Sequence, residues 1–275
     1  MNALRPCYLR SGITLSLSII LTVCHAQTNE NKQPVDKVSH TEPLYIDLVR
    51  DLGARKGEKE LNIGADFTGT RNYNEYMLLA EYEFAPLNRL ALEVETDVSF
   101  FGNRESNQDI MHDKSGCLKL SMQYSFLVSP KYKTTIAAGY TQLLELSHFK
   151  SGSGGSSASS QTVYNPFLVA AKNWGAGIHT LLYASSLISN DLLRKNPFVS
   201  WHINAAFHYA IPGSGHFIGL ELSDEQSHRH NETTLRPQMK VKVNPALAIG
   251  VVTSLPIHTS EGKGFGHFIR IIYEL

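Results

Sequence analysis

Cysteine is scarce: the 275-residue chain has three, Cys7, Cys24 and Cys117. That number excludes a disulfide-stapled scaffold and a cysteine-based zinc site. A surplus of charge of one sign is also missing, since Lys+Arg and Asp+Glu both total 25. The chain therefore has no strong overall field to gather nucleic acid or acidic substrates. Charged residues reach only 18%, against about a quarter in ordinary globular domains. Long apolar runs do not make up the difference. After residue 26 no stretch approaches the roughly 20 apolar residues that a membrane-spanning helix needs, which excludes a helical transporter.

Arg5 and Arg10 precede an apolar run, Ile13 to Val23, and Cys24-His25-Ala26 puts a small residue before Gln27. This is the layout of a secretory signal peptide over residues 1–26. Lipid modification of Cys24 is the competing reading, but Val23 stands where Gly, Ala or Ser is expected. Losing Arg5 and Arg10 leaves 23 basic against 25 acidic side chains and a single thiol, Cys117. Residues 27–39 are rich in Asn, Gln, Lys and Ser without periodicity and read as a disordered linker. Over residues 40–58 the pattern turns helical: Pro43 suits a first helical position, Leu44, Leu48 and Leu52 recur every fourth residue, and Gly53 stops the run. Such an amphipathic helix either packs on its own domain or forms a plug or lid at a barrel mouth.

From residue 59 the period changes to two. Leu118, Leu120, Met122, Tyr124 and Phe126 alternate with Lys119, Ser121, Gln123 and Ser125, and the same rhythm recurs to the end. The runs are about nine to eleven residues, the length that crosses a bilayer at a tilt. About twelve fit between residues 59 and 275. Short turns such as Pro86-Leu87-Asn88, Asn173-Trp174 and Pro212-Gly213-Ser214 alternate with longer polar loops at 101–114, 146–161, 188–196, 225–232 and 258–263. The fold class is all-β: an antiparallel transmembrane β-barrel of about 12 strands preceded by a short amphipathic helix. An even strand number puts both termini on the short-turn side, the periplasm, with the 151–160 loop on the cell surface.

The alternation sorts side chains into two faces. Inward lie Glu81, Glu83, Glu93, Glu95 and Asp97, then Lys119, His179, His202 and His208, and finally Arg236, Lys240, Lys242 and Arg270. The acidic strip and the basic strip either hold a field across a water-filled lumen or pair into a polar filling. Outward, near the short turns, lie Tyr82, Phe84, Tyr124, Phe126, Phe207, Tyr209 and Tyr273, an interface band for outer-membrane lipid and lipopolysaccharide. Ile249 and Val251 face lipid, and Gly250 faces the lumen, where a small polar residue is expected to be tolerated. The last residues, Ile269 to Leu275, resemble the terminal signal read by the barrel-insertion machinery, with Leu275 in place of the usual aromatic residue.

His40-Thr41-Glu42-Pro43-Leu44-Tyr45-Ile46-Asp47 resembles the motif that names the HAEPLYID family, with Thr41 in place of its alanine. The similarity continues through residues 52–62 into the barrel. This resemblance implies an exported, barrel-like protein of Bacteroidota and brings no substrate or catalytic residue with it.

Chemical motifs are few. Asp224, Glu225, His228, His230 and Glu232 group a His-x-His pair with carboxylates, but outer loops are polar by default and the spacing matches no defined metal site. His112 with Asp113 is weaker still. Gly262-Lys263-Gly264-Phe265-Gly266 lacks the strand-then-helix setting of a nucleotide site, and Ser151 to Ser157 is low complexity. No cofactor, metal or catalytic residue is assigned. The leading expectation is passage of a small hydrophilic solute. The alternatives are a lipid-modifying barrel enzyme using Ser200 and His202, or a non-conducting binding or envelope-structure protein.

Overall fold

The computed structural model describes residues 36–46, 48–70, 73–103, 111–150, 161–191, 198–227, 231–259 and 262–275, with backbone alone at 103, 111–115, 146–150, 161 and 190–191. The signal peptide over 1–26, most of the linker, the 151–160 loop, Asp47, His228 and His230 lie outside the described residues, as do the side chains of His112 and Asp113.

Twelve strands run β1 (Lys59–Thr70), β2 (Tyr73–Leu87), β3 (Leu90–Asn103), β4 (Met111–Ser129), β5 (Thr134–Lys150), β6 (Gln161–Gly175), β7 (Ile178–Asp191), β8 (Phe198–Ala210), β9 (Phe217–Ser227), β10 (Asn231–Lys242), β11 (Leu247–Thr259) and β12 (Lys263–Glu274). Each pairs antiparallel with its sequence neighbours, and β1 pairs with β12 to close the barrel. Closure removes both sheet edges, so the strand backbone needs no partner from outside.

Several boundaries differ from the sequence pattern. Strand β4 runs 19 residues and β5 17, so residues 111–114 and 146–150 of the expected loops are strand. The turn expected at Asn173-Trp174 falls at Ala176-Gly177 instead. Gly177 has φ 80°, and a Cβ there would lie 2.4 Å from the Ala210 carbonyl oxygen. Only glycine meets both conditions without strain.

Which face is wet cannot be read from alternation alone; exposure decides it. Ile63, Leu78, Leu120, Leu168, Leu182, Ile203, Ile218, Met239, Ile249, Val251 and Ile269 all stand exposed on the outside. A water-soluble barrel would not leave an apolar belt around its whole circumference. Aromatic side chains flank the belt at both ends. Tyr124, Phe126, Phe207, Tyr209 and Tyr273 are exposed near the short turns, with Tyr82 and Phe84 half-buried and stacked on each other. Tyr73, Tyr76, Tyr164, Phe198 and Trp201 are exposed at the other end, a second girdle that the sequence reading did not single out.

Candidate functional site in the barrel lumen

Many inward positions at the short-turn end are small or apolar rather than polar. Ala85, Ala91, Ala137, Ala171, Val169, Leu181 and Ala206 are buried there in one cluster with Ile46, Leu48, Val49, Leu52 and Ala54. The chain ahead of β1 therefore sits inside the barrel. Small wall residues leave it room, and its aliphatic side chains cover them. Each such side chain fully buried contributes about 1.5–3 kcal/mol relative to exposure.

Residues 37–58 form a loop that enters and leaves at the short-turn end. On the inward arm the Ser39 carbonyl accepts from Asn173 Nδ2 (3.1 Å), His40 Nε2 meets Thr135 Oγ1 (2.9 Å) and the Thr41 amide donates to His179 Nδ1 (3.3 Å). Docking thus begins within the stretch expected to be linker. At the tip the Leu44 amide donates to Gln238 Oε1 (2.6 Å), and the Tyr45 ring lies edge-on to Phe268 and 3.9 Å beneath the Arg236 guanidinium. On the return arm Gln123 Nε2 donates to the Val49 and Arg50 carbonyls, and the Gly53 amide donates to Ser125 Oγ (2.8 Å). The arms are tied together: the Leu52 amide donates to Glu42 Oε1 (3.0 Å), and Lys37 pairs with Asp51 (2.8 Å) and Glu58 (2.7 Å).

The helix expected over residues 40–58 does not form. Backbone groups that an isolated helix would bond internally are bonded by Gln238, His179, Gln123 and Ser125 of the wall. Arg50 also takes φ 63°, a left-handed conformation that ends any right-handed helix. A helix this short is marginal in water and loses to the wall's bonds. The leucines repeat every fourth residue because the loop has apolar wall on several sides.

Arg50 is the strongest anchor. Its guanidinium is 3% exposed and donates to Glu60 Oε2 (2.5 Å) at the start of β1 and Glu274 Oε2 (2.7 Å) at the end of β12. It therefore bridges the strands that close the barrel. Burial holds Glu42 well above the usual carboxylate range, helped by the neighbouring Asp51 charge, while Asp51 is held low by Lys37 and Arg50 despite its own burial. The pair thus shares one charge. His40 is pushed down to about 4, by burial first and by His179 second.

The inward side chains singled out from the sequence fall into three groups. Glu81, Glu83, Glu93 and Glu95 are buried together on β2 and β3, with Asp97 half-buried one step further. Lys119 pairs with Glu95 (2.7 Å), and Arg270 reaches from β12 across β1 to pair with Glu81. The acidic and basic strips are therefore bridged rather than held apart, while the space over Gly64 is filled by Leu79 and the Phe268 ring. Arg236 is buried and pairs with Glu221 (3.4 Å), a residue the sequence reading did not single out. Lys240 is half-buried over the Phe217 ring, and Lys242 is exposed near the short turns. His179 and His208 are buried cross-strand neighbours.

His202 Nε2 bonds Ser223 Oγ (2.8 Å) and Asn204 Nδ2 (3.1 Å), rather than the buried Ser200. The expected 225–232 loop is largely strand: Asp224 accepts from Thr233 and Gln226, and Glu232 pairs with Lys263. Asp224 is thus engaged within the β9–β10 hairpin, and Glu232 is engaged with β12.

Two cavities flank the loop tip. One of about 170 Å³, at the short-turn end, is lined by Glu42, Leu44, Asp51, Glu60, Glu83, Lys240 and Arg270, among others. The second, of about 160 Å³, lies towards the long-loop end between Asp66, Glu75, Glu232, Arg236 and Lys263, with Tyr45 as its floor. Tyr45 and Leu44 stand between the two. The sequence signal for this arrangement is the set of inward alanines and valines, which a water-filled lumen has no use for.

The chain belongs to the HAEPLYID-like family, whose profile matches residues 36–274 and so includes both the inserted loop and the barrel. No curated protein sequence matches it. Among solved structures it is similar to an outer membrane channel from Pseudomonas putida F1, at TM-score 0.58 and 13% identity over 82% of this chain and 98% of that one. It is also similar to the KdgM porin in complex with disordered oligogalacturonate, at TM-score 0.52 and 14% identity over 78% and 99%. At such identities the likeness is one of fold: this is a twelve-stranded outer-membrane β-barrel.

Proposed function

We propose that this HAEPLYID-family barrel is an outer-membrane channel for small hydrophilic solutes, kept closed by its own N-terminal loop. The observation that carries the reading is the path of residues 37–54 into the lumen, with Tyr45 as the floor of a polar cavity at the long-loop end. The loop adds no strand to the sheet. Many of its polar attachments are single hydrogen bonds to wall side chains, so it can leave without breaking the barrel ladder. The Tyr45 cavity carries both signs of charge together with Thr68, Thr234 and Ser254, which suits a small polar or zwitterionic solute.

In this reading the short turns and both ends of the barrel face the periplasm and the long loops face the cell surface. The aromatic girdles contact lipid and lipopolysaccharide headgroups, and the last strand is read by the barrel-insertion machinery. An epitope inserted after Gly154 should then be detected on intact cells.

Liposome swelling tests the transport. Proteoliposomes holding a chain with a loosened loop should swell in small sugars and amino acids, and much less in large oligosaccharides. The apolar cluster around Leu48, Val49 and Leu52 favours a second reading, permanent closure with a binding or structural role. Absence of flux in every loop variant that still folds would select it.

A further inference from the structure

Strands β4 to β7 are almost without acid. Between Asp113 and Asp191 the sequence holds one carboxylate, Glu145, and that lies towards the long-loop end of β5. At the short-turn end the turn after β4 carries Lys131 and Lys133, and the end of β6 carries Lys172. None of the three pairs with a carboxylate among the described residues. The turns bring two of them together. Lys133 takes φ 49°, its carbonyl accepts from the Asn173 amide (2.9 Å), and its Nζ stands 3.7 Å from where a Cβ on Gly175 would lie. Lys172 Nζ donates to the Tyr132 carbonyl (2.5 Å) and lies 5.2 Å from the centre of the Trp174 ring. Two ammonium groups thus border adjacent residues with nothing of opposite charge beside them. Like charges held this way repel until an anion joins them.

A separate feature says which kind of anion. Strand alternation puts Lys172 on the outward face: Val169 and Ala171 are buried inside, while Leu168 is 50% exposed. Register carries that face across the neighbouring strands, with Thr134 and Thr180 beside Lys172, and Ile136 and Leu182 beside Ala170. The ammonium group therefore borders an apolar surface in which the small Ala170 lies between two larger side chains. Tyr132 and Trp174 stand exposed at the same level, and Trp174 Nε1 donates to Thr180 Oγ1 (2.9 Å), which fixes the ring. Free phosphate would use the lysines alone. A lipid uses the lysines, the rings and the apolar surface.

We propose that Lys133 and Lys172, with Lys131 beside them, bind the phosphate of an anionic glycerophospholipid of the phosphatidylglycerol type, whose acyl chains lie over Ala170 between Ile136 and Leu182. Rings such as Tyr132 and Trp174 collect at the headgroup level, and lysines beside a membrane surface attract anionic lipid. The choice of a glycerophospholipid rests on the orientation proposed above, which puts this rim in the periplasmic leaflet. The epitope after Gly154 tests that orientation separately.

Native mass spectrometry tests the site on the full chain, refolded in detergent and given phosphatidylglycerol, phosphatidylcholine and lipopolysaccharide together. The wild type should retain phosphatidylglycerol in preference to phosphatidylcholine. Lys133→Gln and Lys172→Gln should each weaken that preference by about fivefold, and the double variant by more. Lys172→Arg should keep it. Lys242→Gln removes a short-turn lysine whose strand position faces the lumen, and should bind like the wild type. No preference in the wild type would overturn the site, whether or not the variants fold. So would a folded double variant that keeps the preference, or one that loses lipopolysaccharide in place of phosphatidylglycerol. No flux is measured, so a barrel that never conducts leaves the outcome unaffected.

Discussion

Leu44 of the inserted loop packs directly on Gly250 of β11: a Cβ built on that glycine would lie 2.7 Å from Leu44 Cδ2 and 2.9 Å from Cδ1. The alternation alone makes residue 250 a water-facing position that tolerates a small polar side chain. The loop reverses that expectation. The obstructed atoms end a flexible side chain, so the loop gives way before the barrel does. Gly250→Val should weaken docking by about 1–3 kcal/mol and raise the current through reconstituted protein. Adding Leu44→Ala should restore closure. A Gly250→Val chain as silent as the wild type would show that the contact does not hold the loop.

Arg50→Ala leaves Glu60 buried without its guanidinium. Breaking a buried pair in this way costs about 3–5 kcal/mol, while the half-exposed Glu274 side of the anchor adds little. The midpoint of urea unfolding in detergent should fall, and the loop should become accessible to protease. Lys37→Ala, whose partners Asp51 and Glu58 are both more exposed than Glu60, should have the smaller effect. Equal midpoints for the two variants would remove Arg50 from its place as the main anchor.

His40 sets an acid limit on docking. Its folded value of about 4 lies below the ordinary 6.5, so its contribution is complete above about 6.5 and is lost as pH falls towards 4. Protonation would bury a cation beside His179 of β7 and Thr135 of β5, with Asp51 of the return arm the one attracting charge among the described residues. Channel opening should rise between pH 6.5 and 4, and His40→Asn should flatten that rise. Glu42 acts in the opposite sense: its value is raised, so its contribution is present in acid and is lost as pH rises. A pH profile unchanged by His40→Asn would exclude the histidine.

Val251 is 38% exposed on the outer face of β11. Val251→Arg places a charge in the hydrocarbon and should cost about 2–4 kcal/mol near the midplane, read as lost folding into liposomes. Folding equal to the wild type would put this face in water.

The strand pattern carried most of the fold because a strand that faces lipid on one side must alternate. Twelve runs and their short turns follow from residues such as Leu118 to Phe126, read two at a time. The lumen was less legible. Glu81 and Glu95 announce an inward face, but whether Arg270 reaches across β1 to Glu81 depends on the register of β12 and β2 on β1, a question no periodicity answers. The 40–58 segment misled for a related reason. Leucines at 44, 48 and 52 fit one face of a helix, yet here they fit the walls of a tube whose polar side chains bond the loop backbone. The inward alanines 85, 91, 137, 171 and 206 were the available clue, meaningful only once a second piece of chain is placed against them.

Single-channel conductance in planar bilayers tests the plugged-channel account most directly, comparing the full chain with one lacking residues 36–54. Both should give heat-resistant folded barrels, since the loop contributes no strand to the closed sheet. The full chain should stay closed through most of each recording, and the shortened chain should conduct steadily. Equal conductance from the two, or silence from a shortened chain that is demonstrably folded, would contradict a lumen closed by this loop.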